Sequence, residues 1–272
     1  MKNLIILFFI ATFLYSCDVL EPDGNYYIAD TVSSNDVDTQ TVVKKVLLVD
    51  FTGIRCTNCP EAHETMHQIQ SVYPNKIIAV AIHGTSLAYP IGDYVTDLRT
   101  DDGTEIIDDF GINAIPIGLV DKYEKNSLIS ETAWADAVSD VIDETPTVGI
   151  KIQNSYNSSN NNLEISIKLI SLDEFQSALK LVVFVVEDSI ITRQATDSGD
   201  IENYVQLNVF RDAVSDVWGD DVFTTGATLN SSETKDYSYS FSPDWDAKNS
   251  RIVAFVFDDN YKILNAQEEL VQ

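Results

Sequence analysis

The sequence is poor in basic residues, cysteine, glycine and proline, and each shortage excludes something. Seventeen Lys and Arg stand against 43 Asp and Glu in 272 residues, a formal net charge of −26. A polyanion of that size repels a phosphate backbone, which excludes nucleic acid as a partner. Three cysteines are too few for a disulfide scaffold. With only 11 Gly and 7 Pro and 44% hydrophobic residues, the chain can bury a core, and wholesale disorder is excluded. The length fits one large or two medium domains.

Past the first residues there is no run long enough to cross a bilayer. Lys2 is followed by an apolar stretch from Leu4 to Phe13 and then by Leu14-Tyr15-Ser16-Cys17. That stretch has signal-peptide length. A Leu three places before a Cys, with Ser just ahead of it, resembles a bacterial lipobox. The resemblance implies a signal peptide over 1–16 and a diacylated Cys17 as mature N-terminus. The protein would then meet its membrane through lipid alone. Residues 17–41 are acidic and turn-rich with no sustained period, and read as a tether.

Residues 42–145 carry the chemistry. Val42 to Phe51 is β-rich and apolar toward its end, as in a buried central strand. Glu61 to Tyr73 places Ala62, Met66, Ile69 and Tyr73 on one helical face, and Ile77 to Ile82 is a second apolar strand. Cys56-Thr57-Asn58-Cys59 therefore sits at a strand-to-helix junction. Free amides and the helix dipole there favour an anion, which lowers the pKa of Cys56, and Arg55 adds positive charge. Cys59 can resolve a mixed disulfide formed at Cys56. Asp50, at the strand end, buried near Cys59, would have a raised pKa and relay the resolving thiol's proton.

Two other readings of the same residues stand beside this dithiol. Cys56, Cys59, His63 and His83 make a two-Cys, two-His set suited to zinc or copper. In the absence of metal, His63 and His83 tune the thiols. An inert disulfide is the third reading, although a loop this short constrains the unfolded chain little.

Val49-Asp50-Phe51 followed by CxxC, with Phe110-Gly111-Ile112-Asn113-Ala114-Ile115-Pro116 downstream, resembles the thioredoxin superfamily. The resemblance implies that Pro116 is a cis-proline beside the CxxC on which a substrate peptide rests. Arg55 stands where that superfamily has Trp, and Thr57-Asn58 replaces its usual dipeptide. Residues 84–109 exceed the usual connection and carry six Asp, which suggests an acidic lid or rim.

From Pro146 the pattern changes. Leu128 to Ile142 reads as a closing amphipathic helix. Then Val148–Ile152, Leu163–Leu169, Leu179–Val186, Tyr237–Phe241 and Arg251–Phe257 read as strands of an antiparallel β-sandwich over 146–272.

Phe51-Thr52-Gly53, Arg55-Cys56, Asn58-Cys59-Pro60, Ala62-His63, Ala81-Ile82-His83, Asp97-Leu98-Arg99-Thr100, Pro116 to Val120, Trp134, Tyr204 with Arg211, and Trp218-Gly219 together resemble the twenty-eight-kilodalton outer-membrane lipoproteins of Bacteroidetes. This implies an α/β thioredoxin-like domain followed by an all-β immunoglobulin-like sandwich, lipid-anchored at the outer membrane and facing periplasm or surface. Gln206 and Asn208 stand where that family is expected to carry histidines. The function expected is thiol–disulfide exchange at Cys56 and Cys59 on exported thiol or disulfide proteins, with no cofactor besides the cysteine pair. The rival is an adhesion protein whose sandwich contacts a surface partner.

Overall fold

Central strands buried on both faces organise the protein. The computed structural model describes residues 37–272. The expected signal peptide over 1–16, Cys17 and residues 17–36 of the expected tether lie outside the described residues. In chain order the first elements are β1 (Val46–Thr52), α1 (Cys59–Val72), β2 (Ile77–His83), α2 (Asp101–Phe110), β3 (Ile117–Val120) and α3 (Trp134–Val141). Then follow β4 (Val148–Asn157), β5 (Asn162–Ser171), β6 (Leu179–Glu187), β7 (Ile190–Gln194), β8 (Ile201–Gln206) and β9 (Val209–Ala213). The last are β10 (Asp220–Val222), β11 (Ser232–Ser240), β12 (Ser250–Phe257) and β13 (Ile263–Leu270).

β1 and β2 run parallel, paired from Val46 with Ile77 to Thr52 with His83, and are buried at every position. Their side chains divide by parity between two cores. Leu47, Val49 and Phe51 join Ile78, Val80 and Ile82 in a core that α2 covers with Ile106, Ile107 and Phe110. Val46, Leu48, Ile77 and Ala79 meet α1 through Ala62, Met66 and Ile69, and α3 through Trp134 and Val138. β3 pairs antiparallel with β1, and at Gly118 a Cβ would strike Val49 O and the Trp134 ring.

The expected fold class requires correction here. β1, β2 and β3 have no sheet of their own. β2 pairs with β9 at Ala81 and Val209, β9 pairs with β6, and β6 pairs with β12, which pairs with β13. One eight-stranded sheet, β13-β12-β6-β9-β2-β1-β3 with β10 beside β6, thus runs through both halves of the chain. Thirteen strands against three α-helices make the described residues mostly β. There is no α/β domain of the thioredoxin type followed by a separate immunoglobulin-like sandwich. A second, three-stranded sheet, β11-β5-β4, packs Ile150, Ile165 and Ile167 against Val183, Val185 and Ile252 of the large one.

The second part of the acidic insert forms α2. Thr100 accepts the Gly103 N–H at 2.9 Å as an N-cap, and Gly111, at φ +67°, ends α2 in the left-handed region. The acidic residues between them flank an apolar stripe that is part of the core.

Arg251 fastens the sheet near the β2–β9 crossing. It is 7% exposed. Its Nη2 donates to Ala79 O at 3.1 Å and Asn208 Oδ1 at 2.7 Å, its Nε to Glu268 at 2.8 Å, and its Nη1 to Asp188. Removing it leaves two carboxylates and two buried acceptors without their donor. Arg251→Ala is expected to lower the free energy of unfolding by about 2–4 kcal/mol, toward the low side for a broken buried pair because both carboxylates keep partial water contact. A urea midpoint equal to wild type would contradict this.

Candidate functional site

The site begins where β1 gives way to α1. Cys59 is the first residue of α1 and Pro60 fills its first turn, where the missing N–H costs nothing. Cys56 and Cys59 are joined as a disulfide with Cα atoms 5.4 Å apart. Cys56 is 3% exposed and Cys59 fully buried. The Cys59 N–H points at Cys56 Sγ across 3.1 Å, as the free amide of a helix start does toward an electron-rich atom.

Cys56 Sγ also lies 3.7 Å from Ile115 O, and the Ile115–Pro116 bond is cis. Pro116 is therefore brought beside the disulfide. The Arg55 guanidinium also ties two loops together. Its Nε donates to Tyr89 O at 3.0 Å and its Nη2 to Ser86 O, which fixes the 84–99 loop against the CxxC turn.

Asp50, on β1 within reach of His63 of α1, is fully buried. Neither carboxylate oxygen has a regular hydrogen bond. His63 approaches it, with Nε2 3.4 Å from Oδ2. Burial drives the Asp50 pKa up, more than His63 and Thr52 pull it down. His63 stands one helical turn after Cys59 and so on the same face of α1. Its Nε2 meets Thr52 Oγ1 at 2.9 Å and its Nδ1 meets the Tyr204 hydroxyl at 2.8 Å. Burial, and then the Asp50 charge, push the Tyr204 hydroxyl up to about 12.

His83 ends β2, buried, with neither ring nitrogen in a regular hydrogen bond. Burial pushes its pKa down to about 3, so the ring is neutral. Among the described residues no group of three or more His, Cys, Asp or Glu is gathered to hold a metal ion. Cys56 and Cys59 share a disulfide, and His63 is engaged by Thr52 and Tyr204. Zinc and copper therefore have no assembled site among these residues.

The β7–β8 hairpin supplies residues that sequence reasoning missed. The Gln194 side-chain amide donates to Cys56 O at 3.0 Å and Gly53 O at 3.3 Å. Gln206 donates to Gln194 Oε1 at 2.9 Å and to Thr192 at 3.0 Å. The Ala195 N–H closes on Ile54 O at 2.9 Å. A buried amide ladder from the second half thus holds the carbonyls of the CxxC turn. A face buried through amide hydrogen bonds leaves no hydrophobic period in the sequence, and only Gln206 was singled out there. Beside α1 and β8 runs a groove of about 360 Å³, walled by Pro60, Met66, Val205 and Leu207 and opened on by His63 and Tyr204.

Fold and site together define a mostly-β protein with one disulfide buried at a strand-to-helix junction. Residues 104–272 match the family described as outer membrane protein Omp28, and the chain belongs to that family of outer-membrane proteins. The matched stretch begins after the two cysteines. Among solved structures, HBP35 of Porphyromonas gingivalis shares 16% identity at TM-score 0.67, over 85% of this chain and 76% of its own. A protein of Agrobacterium tumefaciens shares 15% at TM-score 0.50, over 85% of this chain and 96% of its own. A domain of the outer membrane lipoprotein Omp28 from P. gingivalis shares 18% at TM-score 0.33, over 47% of this chain and 91% of its own. No curated protein matches the chain. The first likeness extends across both halves and shows a shared fold. Among the described residues no helix is long and apolar enough to cross a membrane.

The raised Asp50 pKa carries a sign that can be measured. A carboxyl that holds its proton more tightly when folded stabilises the fold at low pH, and that contribution is lost as pH rises through its folded pKa. Asp50→Asn keeps the shape and removes the titration. Its urea midpoint is expected to exceed wild type at pH 8 by more than at pH 5, and a gap that does not change with pH would contradict the buried-carboxyl account.

Proposed function

We propose that this outer-membrane protein performs thiol–disulfide exchange through Cys56 and Cys59 on exported proteins, anchored by lipid at Cys17. The observation that carries the reading is the buried carboxyl of Asp50 beneath the face of α1 on which Cys59 and His63 stand, with the disulfide at that helix's first turn. A structural staple across so short a loop needs no titratable group below it. A sulfur that alternates between bond and thiol does, because a buried thiolate must be neutralised.

In this reading Cys56 is the attacked and attacking sulfur, favoured as thiolate by the free amides of α1. Cys59 resolves and Asp50 holds its proton. Ile115 O, 3.7 Å from Cys56 Sγ, and Pro116 mark where a substrate backbone would lie. The 84–99 loop tied to Arg55 and the amide ladder through Gln194 keep the turn rigid, so the two sulfurs return to bonding distance each cycle.

The test is oxidative refolding of a reduced, disulfide-containing protein with the full oxidised chain added at catalytic amounts in a glutathione buffer. Acceleration that disappears in Cys56→Ser is expected; equal yields with and without the chain would refute the reading. Separately, Cys17→Ser is expected to move the protein from the outer-membrane fraction to the soluble one, and unchanged fractionation would refute the anchor.

A further inference from the structure

Asp50 poses a problem that its own surroundings do not solve. It is fully buried, so water does not reach it. If it supplies a proton to Cys59, that proton must be replaced within the cycle. One continuous set of polar atoms leads outward. Asp50 Oδ2 is 3.4 Å from His63 Nε2, the opposite ring nitrogen is 2.8 Å from the Tyr204 hydroxyl, and both side chains line the groove beside α1. Thr52, fully buried, holds the inner nitrogen at 2.9 Å and fixes the ring plane.

We propose that His63 and Tyr204 form the proton route between Asp50 and solvent, entered from the groove walled by Met66, Val205 and Leu207. The proposal deepens the exchange reading and rests on it. A substrate thiolate attacks Cys56 Sγ and the Cys56–Cys59 bond breaks. The Cys59 sulfur leaves with the electron pair and takes the Asp50 proton. Asp50 takes the proton on His63 Nε2, His63 Nδ1 takes that of the Tyr204 hydroxyl, and Tyr204 takes one from water in the groove. The substrate's second thiolate then attacks its sulfur in the mixed disulfide and expels Cys56 as thiolate. Two electrons have passed from the substrate dithiol to the protein disulfide. Reoxidation by a disulfide substrate runs the same protons outward, which restores the His63 tautomer. His63 acts through Asp50, so it and Tyr204 are positioning residues rather than catalytic ones.

Other titratable groups face this path. Glu64 and His67 of α1 line the groove, Glu131 acts on Asp50, and His83, itself near Arg211, acts on His63. None of them lies in the run of contacts from Asp50 through His63 to Tyr204. The burial that raises the Tyr204 hydroxyl keeps it a neutral O–H, which passes a proton on without storing charge.

The experiment follows reduction of the Cys56–Cys59 disulfide in the full chain by dithiothreitol, with rates divided by the reductant's thiolate fraction, from pH 5 to 9. His63→Gln is expected to slow the normalised rate about tenfold, less than the ~100-fold low end for a group that transfers a proton at the reacting atom because His63 acts through Asp50, and to change its pH profile. Tyr204→Phe, which removes one oxygen and leaves the packing, is expected to change the profile in the same direction by a smaller factor. Free imidazole is expected to restore much of the rate in His63→Ala, which loss of packing alone would not allow. A wild-type rate no faster than that of the urea-unfolded chain would overturn the exchange reading and the relay with it. A fast wild type whose rate and profile both variants reproduce would overturn the relay alone.

Discussion

Arg251 holds together parts of the chain that lie far apart in sequence. Its guanidinium touches β2 through Ala79 O, the β8–β9 connection through Asn208, the end of β6 through Asp188 and β13 through Glu268. Asn208 is the hinge of that contact. It takes a positive φ of 60°, its carbonyl accepts the Ala81 N–H at 2.6 Å, and its own N–H reaches Asp188. Only with this crossing made does β9 lie beside β2, so that one sheet spans both halves. A buried charge network of this kind contributes little net stability against an apolar replacement. What it fixes here is register.

That register decides the chemistry of the site. Because β9 is seated on β2, the hairpin just before it is laid over the CxxC turn. Gln194 and Gln206 then reach the carbonyls of Cys56 and Gly53, and Tyr204 reaches His63. The disulfide is therefore an element of the whole fold: its floor is Asp50 on β1, one wall is Ile115, and its roof comes from residues more than a hundred positions later. Lys44 adds a comparable cross-tie on the opposite side. It pairs with Asp121 at 2.6 Å and donates to Ile263 O at 2.8 Å, with burial as the main influence on both charges, pulling the Lys44 pKa down and pushing Asp121 up to about 6.

The sequence made some of this legible. Unbroken apolar runs marked β1, β2 and β6, and alternation marked β4, β5 and the end of β11, because burial on two faces or one leaves those periods. The strand-to-helix setting of CxxC was readable from local pattern alone. Three things were not. The helix α2 lay hidden among six aspartates, although Thr100 and Gly111 at its ends carry the chemistry of caps. β7 and β8 turn Thr192, Gln194 and Gln206 inward, and a face buried by amide hydrogen bonds leaves no hydrophobic period. The β2–β9 pairing depends on a single Cα register, Ala81 with Val209, that no local pattern encodes. The expectation of two separate domains failed on that pairing. His63 was noted in the sequence as a tuning group or ligand, but its bond to Tyr204 needed the hairpin in place.

The account's central claim is that Cys56 is a working sulfur. Its most direct test is the Cys59→Ser chain, expressed with its native anchor and trapped by acid quench and thiol alkylation. Without a resolving thiol, Cys56 is expected to accumulate mixed disulfides with exported proteins, released by dithiothreitol and absent when Cys56 is also replaced by Ser. Adducts equal in the single and double variants would show that the disulfide is a fixed part of the fold and would contradict the account.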